Sequence, residues 1–227
     1  MSAFRIVEVL YPGLTQLDFT GPHTVFTRLP DTEVIVASRD GGEVTSDGGL
    51  TFAHTRRLAD IDSCDLICIP GGVAATEAAT DAVLIAEVRR LATSARYVTS
   101  VCNGSLVLGA AGLLQGRRAA CHWAWRHLLP LFGAIPDEAR VARDGNIITG
   151  GGVTAGIDFA LTVAAELAGD ATAQAIQLSL EYAPAPPFNA GRPELAPAHV
   201  LAAVQARMDA ILPRRSAEAK TAAKLMR

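Results

Sequence analysis

Cys102 stands in the run Ser100-Val101-Cys102-Asn103-Gly104, a small-x-nucleophile-x-Gly pattern between an apolar stretch and a helical one. Such a pattern suits a strand-to-helix elbow, a turn so tight that only small neighbours leave the reactive atom approachable. Of its glycines only the first is replaced, by Ser100. A thiol at the start of a helix faces unpaired N–H groups and the positive end of the helix dipole, which favour the thiolate and predict a depressed pKa. That thiolate would serve covalent catalysis.

A nucleophile of this kind needs a proton donor and acceptor. Asp18, between Leu17 and Phe19, is an acid in apolar company just past the first strand-like segment. Desolvation should raise its pKa, and a neighbouring thiolate would raise it further, leaving a carboxyl able to donate at neutral pH. The same residue could instead cap a helix opening at Gly21-Pro22. Gly71 and Gly72, after a third strand-like run, could present backbone N–H groups to a developing anion or simply form a turn. Asn103 and Gly104 complete the elbow. Gly150 to Gly152 could line the pocket or let a backbone pass close by, and Pro184 to Phe188 could form a wall or an intersubunit contact.

The other candidates carry less. Cys64, Cys68 and Cys121 lie in or beside strand-like runs, where buried inert thiols are the rule. The gap between Cys64 and Cys68 does not match Cys-x-x-Cys and no second ligand pair follows, so no zinc site is expected. Cys121-His122 would be a thiol–imidazole pair, but neighbours in a strand point to opposite faces. His122 therefore reads as a structural histidine packed with Trp123, while His23, His54, His127 and His199 carry no motif.

The elements that must position these residues are legible from hydrophobic periodicity. Strands are expected at 4–10, 33–38, 65–69 and 97–101, with a hairpin over 141–149 turning at Asp144-Gly145. Helices are expected from Gly21 to Arg28, from the Asp81 cap to Ala92, over 106–112, over 154–167, over 171–182 and over 197–212. Residues 183–187 should be extended, and the basic, Ala-rich tail beyond Pro213 should be a solvated end. Strands alternating with helices predict an α/β fold, with a mostly parallel sheet and helices on both faces. In such sheets the ligand site lies beyond the carboxyl ends of the strands, where Asp18, Gly72 and Cys102 should converge.

Composition sets the outer limits. The 227 residues suit one domain over 1–227, and a formal charge of -3 offers no broad field for nucleic acid. No apolar run reaches the roughly 20 residues that cross a bilayer. The 4 scattered cysteines suit a reducing compartment, so the cytoplasm is expected.

Read together, four runs resemble the ThiJ/PfpI superfamily: Gln-Leu-Asp-Phe-Thr-Gly-Pro at 16–22, Ile-Pro-Gly-Gly at 69–72, Thr-Ser-Val-Cys-Asn-Gly-Ser at 99–105 and Gly-Ala-Ala-Gly-Leu-Leu-Gln-Gly at 109–116. Two later runs, 150–161 and 177–191, resemble the isocyanide hydratase branch in particular. The resemblance covers almost the whole chain. It implies a flavodoxin-like sandwich with a cysteine elbow, a homodimer, no metal or organic cofactor, and hydration of a small neutral isocyanide by water to an N-substituted formamide. Cys102 matches that branch's nucleophile and Asp18 its essential carboxyl; Gly72 and Gly151 fall in its pocket loops. The match departs at Asn103, where the hydratases carry Thr.

Rival branches fit less well. Protease-like and glyoxalase-like members place His directly after the nucleophile and use Glu as the acid, against Asn103 and Asp18 here. AraC-type regulators carry a similar domain but continue into two helix-turn-helix units, for which residues 192–227 are too few. A redox-sensing role for Cys102 is the remaining alternative.

Overall fold

The computed structural model describes residues 3–226. Its framework is an eight-stranded sheet in the order β3-β4-β2-β1-β5-β6-β10-β9. The strands are β1 (Phe4–Leu10), β2 (Thr32–Ser38), β3 (Gly42–Thr45), β4 (Thr51–Arg57), β5 (Leu66–Ile69), β6 (Tyr97–Ser100), β9 (Val141–Asp144) and β10 (Ile147–Gly150). Pairing is parallel from β4 through β10, and the edge strands β3 and β9 run antiparallel to their neighbours. A separate parallel pair joins β7 (Arg118–Ala120) to β8 (Ile135–Asp137).

The central strands are apolar almost throughout because both faces are covered, as parallel sheets require. Ile6, Leu66 and Ile148 face a core built with Val25, Phe26, Phe159 and Val163, from α1 (Gln16–Phe26) and α5 (Ala155–Ala168). Val7, Ile67, Ile69 and Val98 face the other core, with side chains of α3 (Ala82–Ala92), α4 (Gly104–Ala110) and α7 (Ala198–Leu225). Short α2 (Ala75–Ala78) and α6 (Asp170–Ser179) complete the α-helices among the described residues, beside 3-10 turns at Leu58–Asp60 and Arg126–Phe132. The expected sandwich, with helices on both faces, is the observed one. No helix among the described residues is long and apolar enough to cross a membrane.

Two expectations need correction. The first helix begins at Gln16, so Asp18 sits in its first turn and Pro22 lies inside it. Gly21-Pro22 serves packing instead of initiation: a Cβ at Gly21 would lie 3.3 Å from Ile157, and one at Gly156 would lie 3.2 Å from Pro22. The pair therefore marks where α1 and α5 approach closely. The second correction concerns the tail, which continues as helix through Pro213 to Leu225. Ala219 and Ala222 are buried, and Thr76 Oγ1 donates to Glu218 Oε2 at 2.6 Å, so this segment docks on the body of the protein.

Strands β3, β4, β7 and β8 had no period-2 apolar signature, since they are short or exposed on most positions. The Asp81 cap is as expected: its Oδ1 accepts from the N–H groups of Val83 and Leu84 at 3.0 and 3.1 Å. Asp81→Ala is expected to lower stability by about 1 kcal/mol. A lower urea midpoint at unchanged m-value would register it.

Candidate active site

The carboxyl ends of β1, β5 and β6 bring the predicted segments together. β6 ends at Ser100, and Cys102 turns the chain into α4 with φ 57°. A side chain in that left-handed region is strained by about 1–2 kcal/mol, so its surroundings must hold it there. They do so through the Cys102 N–H, which donates to Gly150 O at 3.1 Å, and through Gly104, whose N–H donates to Val101 O at 3.0 Å. A Cβ at Gly104 would collide with the carbonyl oxygens of Ile69 and Pro70. Only glycine lets the elbow pass so close to β5.

Asp18 approaches from α1 and is fully buried. Its Oδ2 accepts from the Gly71 N–H at 2.9 Å, while Oδ1 is buried with no hydrogen-bond partner among the described residues. The Cys102 thiol is near enough to act on the proton equilibrium of this carboxyl. Burial pushes its pKa up to about 7, against the opposing pull of Cys102 and the Gly71 N–H. The carboxyl can therefore hold or release a proton near neutrality, as its apolar neighbours suggested, although Cys102 lowers its pKa where the sequence reading expected a further rise.

The expected depression of the Cys102 pKa does not hold. Burial raises it well above the ordinary thiol value, the Asp18 charge and Cys121 add to the rise, and the Asn103 N–H opposes it. The α4 helix is only 7 residues long, and its dipole cannot outweigh removal from water beside a carboxylate. Below about pH 7 carboxyl and thiol both hold their protons, and above it the pair keeps one proton and carries one negative charge.

Gly71 and Gly72 do not offer a free oxyanion hole. The Gly71 N–H is taken by Asp18, and the Gly72 N–H donates to Asn103 Oδ1 at 2.8 Å. Asn103 Nδ2 returns a bond to Gly72 O at 3.0 Å. Its amide is therefore a two-point clamp on the 71–72 loop, and its backbone N–H is the group that faces Cys102. Gly151 lies apart from this cluster: its N–H donates to Arg140 O at 2.8 Å, and it lines a cleft with Cys121, His122, Trp123 and Arg126.

Cys121 and Cys64 are inert thiols, pushed up to about 12 by burial. Burial and Arg215 push His122 down to about 4, so it is neutral, and it packs on Trp123 with ring centroids 5.6 Å apart. Two residues of the cluster escaped the sequence reading. Tyr11, just past β1, is buried, donates to Pro70 O at 2.7 Å and faces both Asp18 and Cys102. Its position at a strand's carboxyl end was a usable signal. Arg215, on α7, is only 2% exposed and also faces Cys102. Its place in a basic stretch after a proline concealed it.

Comparison with known proteins agrees with this fold. An isonitrile hydratase of Pseudomonas putida is 54% identical over 199 residues, covering 88% of this chain and 87% of its own. A crystal structure of a ThiJ/PfpI family protein from Pseudomonas syringae superposes with a TM-score of 0.92 at 42% identity, covering 98% of this chain and 91% of that one. An HTH-type transcriptional regulator of Pseudomonas aeruginosa is 32% identical over 151 residues, which make up 65% of this chain but only 44% of the regulator. The model of the DJ-1/PfpI family matches residues 5–166, which hold the first helix with its acid, the Gly71-Gly72 loop and the strained cysteine elbow, and the chain belongs to that family.

Proposed function

We propose that this chain hydrates isonitriles to N-substituted formamides, with Cys102 as nucleophile and Asp18 as general acid and base. The observation that carries the reading is the strained elbow thiol set against a buried carboxyl whose pKa is about 7. The 54% identity to an isonitrile hydratase over most of both chains supports it.

The reaction follows from moving one proton within the pair. Transfer from Cys102 to Asp18 gives a thiolate and a neutral carboxyl, with the total charge unchanged. The sulfur adds to the terminal carbon of R–N≡C while Asp18 delivers its proton to that carbon, forming the thioimidate R–N=CH–S. Asp18, now a carboxylate, takes a proton from water as its oxygen bonds the same carbon, and the nitrogen receives that proton. The hydroxyl proton of the tetrahedral adduct returns to Asp18 as the C–S bond breaks. Formamide leaves, and thiolate and protonated acid are restored.

The supporting roles follow from contacts. The Asn103 N–H steadies the sulfur, the Asn103 amide holds Gly72 against the elbow, Gly104 permits the turn, and Gly151 borders the neighbouring cleft. The substrate class is a small neutral isonitrile, with water as second reactant and no cofactor. We place the reaction in one domain of the chain and in the cytoplasm, where the four free cysteines stay reduced.

The test is formamide production from a small aryl or alkyl isonitrile by the purified, reduced protein, followed by ultraviolet absorbance. Steady turnover is expected; none from folded protein overturns the reading. The working unit is a homodimer, in which Leu178 and Phe188, 82% and 79% exposed, would gain cover. Light scattering is expected to give twice the chain mass of 23.7 kDa, and a monomer at working concentration would refute this part.

A further inference from the structure

Arg215 sits almost fully buried on α7 without a carboxylate partner among the described residues. Its guanidinium carbon lies 4.1 Å from the centroid of the Trp125 ring, and Nη2 donates to Val73 O at 2.9 Å. These contacts fix the plane of the group beside the 71–72 loop. Nε and Nη1 are buried and donate to no acceptor among the described residues. An always-charged group held this way costs stability unless an opposite charge compensates it.

The compensating charge is found by asking what faces it. From the β1 end comes Tyr11, from the elbow Cys102, and from the segment after β7 Cys121 and His122. From its own helix come Arg214 and Glu218. Glu218 is already occupied, by the Thr76 hydroxyl at 2.6 Å and by Arg214 at 3.7 Å. Tyr11 and Cys121 are neutral, their ionisation opposed by burial, and His122 is neutral too. Around the cysteine itself stand Asp18, Tyr11, Cys121 and the Asn103 N–H, with Asp47 acting on Asp18 and Tyr11 and Arg126 on Cys121. Of the groups that act on Arg215 and can carry negative charge, Cys102 comes first, ahead of Glu218, whose carboxylate is turned toward Thr76 and Arg214.

We propose that Arg215 is a positioning residue, the counter-cation of the Cys102–Asp18 pair, whose charge draws the shared proton off sulfur onto Asp18 and so sustains the reactive thiolate. The step is internal: the S–H bond breaks, the O–H bond of Asp18 forms, and no electron or further reactant is required. The inference accounts for how a thiol that burial holds protonated can act as nucleophile at neutral pH. It rests on the assignment of Cys102 as nucleophile and deepens it by naming the cation.

The test reads the thiolate directly and needs no isonitrile. The rate of Cys102 alkylation by iodoacetamide is followed against pH by peptide mass spectrometry, in the full-length wild type, Arg215→Met and Arg215→Lys. Removing the charge in Arg215→Met is expected to move the midpoint up by about one pH unit or more, with roughly tenfold slower alkylation at pH 7. Arg215→Lys, which keeps the charge, is expected to stay within about half a unit of wild type. A folded Arg215→Met with an unmoved profile overturns the proposal. Should that variant not fold, the lysine variant decides: a wild-type profile supports the role of charge, and a full upward shift refutes it. Failure of isonitrile turnover in the wild type would leave this readout intact, so the two readings fall separately.

Discussion

Cys102→Ala is expected to lower isonitrile hydration by roughly five orders of magnitude or more, since losing the nucleophile of a covalent mechanism removes the route itself. No other thiol can replace it: burial holds Cys64, Cys68 and Cys121 protonated too, and only Cys102 has its side chain against the Asp18 carboxyl that can take the proton. The variant should fold, because alanine fills most of the same space. A second variant separates chemistry from strain. Cys102 holds φ 57°, a conformation that glycine adopts freely. Cys102→Gly relieves about 1–2 kcal/mol of backbone strain and loses about 0.5–1 kcal/mol to chain entropy. It should therefore be at least as stable as Cys102→Ala and equally inactive. Formamide assays and urea melts on both variants check this, and appreciable turnover by either refutes the thioimidate route.

Asp18→Asn is expected to remove activity and add stability. An amide can neither deliver nor take up the proton that each half-reaction moves, so a loss of about 10²- to 10⁴-fold is expected. The stability effect follows from linkage. Burial raises the Asp18 pKa from 3.8 to about 7. Between those values the folded protein holds a proton that the unfolded chain has released, so wild-type stability falls as pH rises through that window and is level above it. A shift of about three units corresponds to at most about 4 kcal/mol. Asparagine cannot ionise, and its Oδ1 can still accept from Gly71. The variant should thus match wild type near pH 4 and exceed it at pH 8. Urea midpoints at both values measure the gap, and a variant less stable at pH 8 would show that Asp18 supports the fold more than burial penalises it.

Much of this site was legible before the structure. The elbow around Cys102, the Asp18 acid and the Pro70-Gly71-Gly72 turn are local patterns, and local patterns survive the passage from chain to fold. The apolar central strands were equally plain, being buried on both faces. What escaped reading was decided between distant segments. Gly21-Pro22 looked like a helix start because the close approach of α5 is not written near it. The donors of Gly71 and Gly72 looked free because the acceptors, Asp18 and Asn103, arrive from elsewhere. Arg215 read as a solvated charge, and only the docking of α7 on Trp125 and Val73 makes it otherwise.

That docking has a consequence for how the protein is made. Arg215 and Glu218 meet Val73 and Thr76 across 142 residues of chain, contacts that a growing polypeptide cannot form until long after the elbow has been translated. Contacts of such separation are also slow to close. The sheet and its nucleophile can therefore assemble first, with the thiol lacking its cation, and α7 then arms it. Synthesis order would thus act as a safety catch, keeping the cysteine dull toward cellular electrophiles until the fold around it is finished.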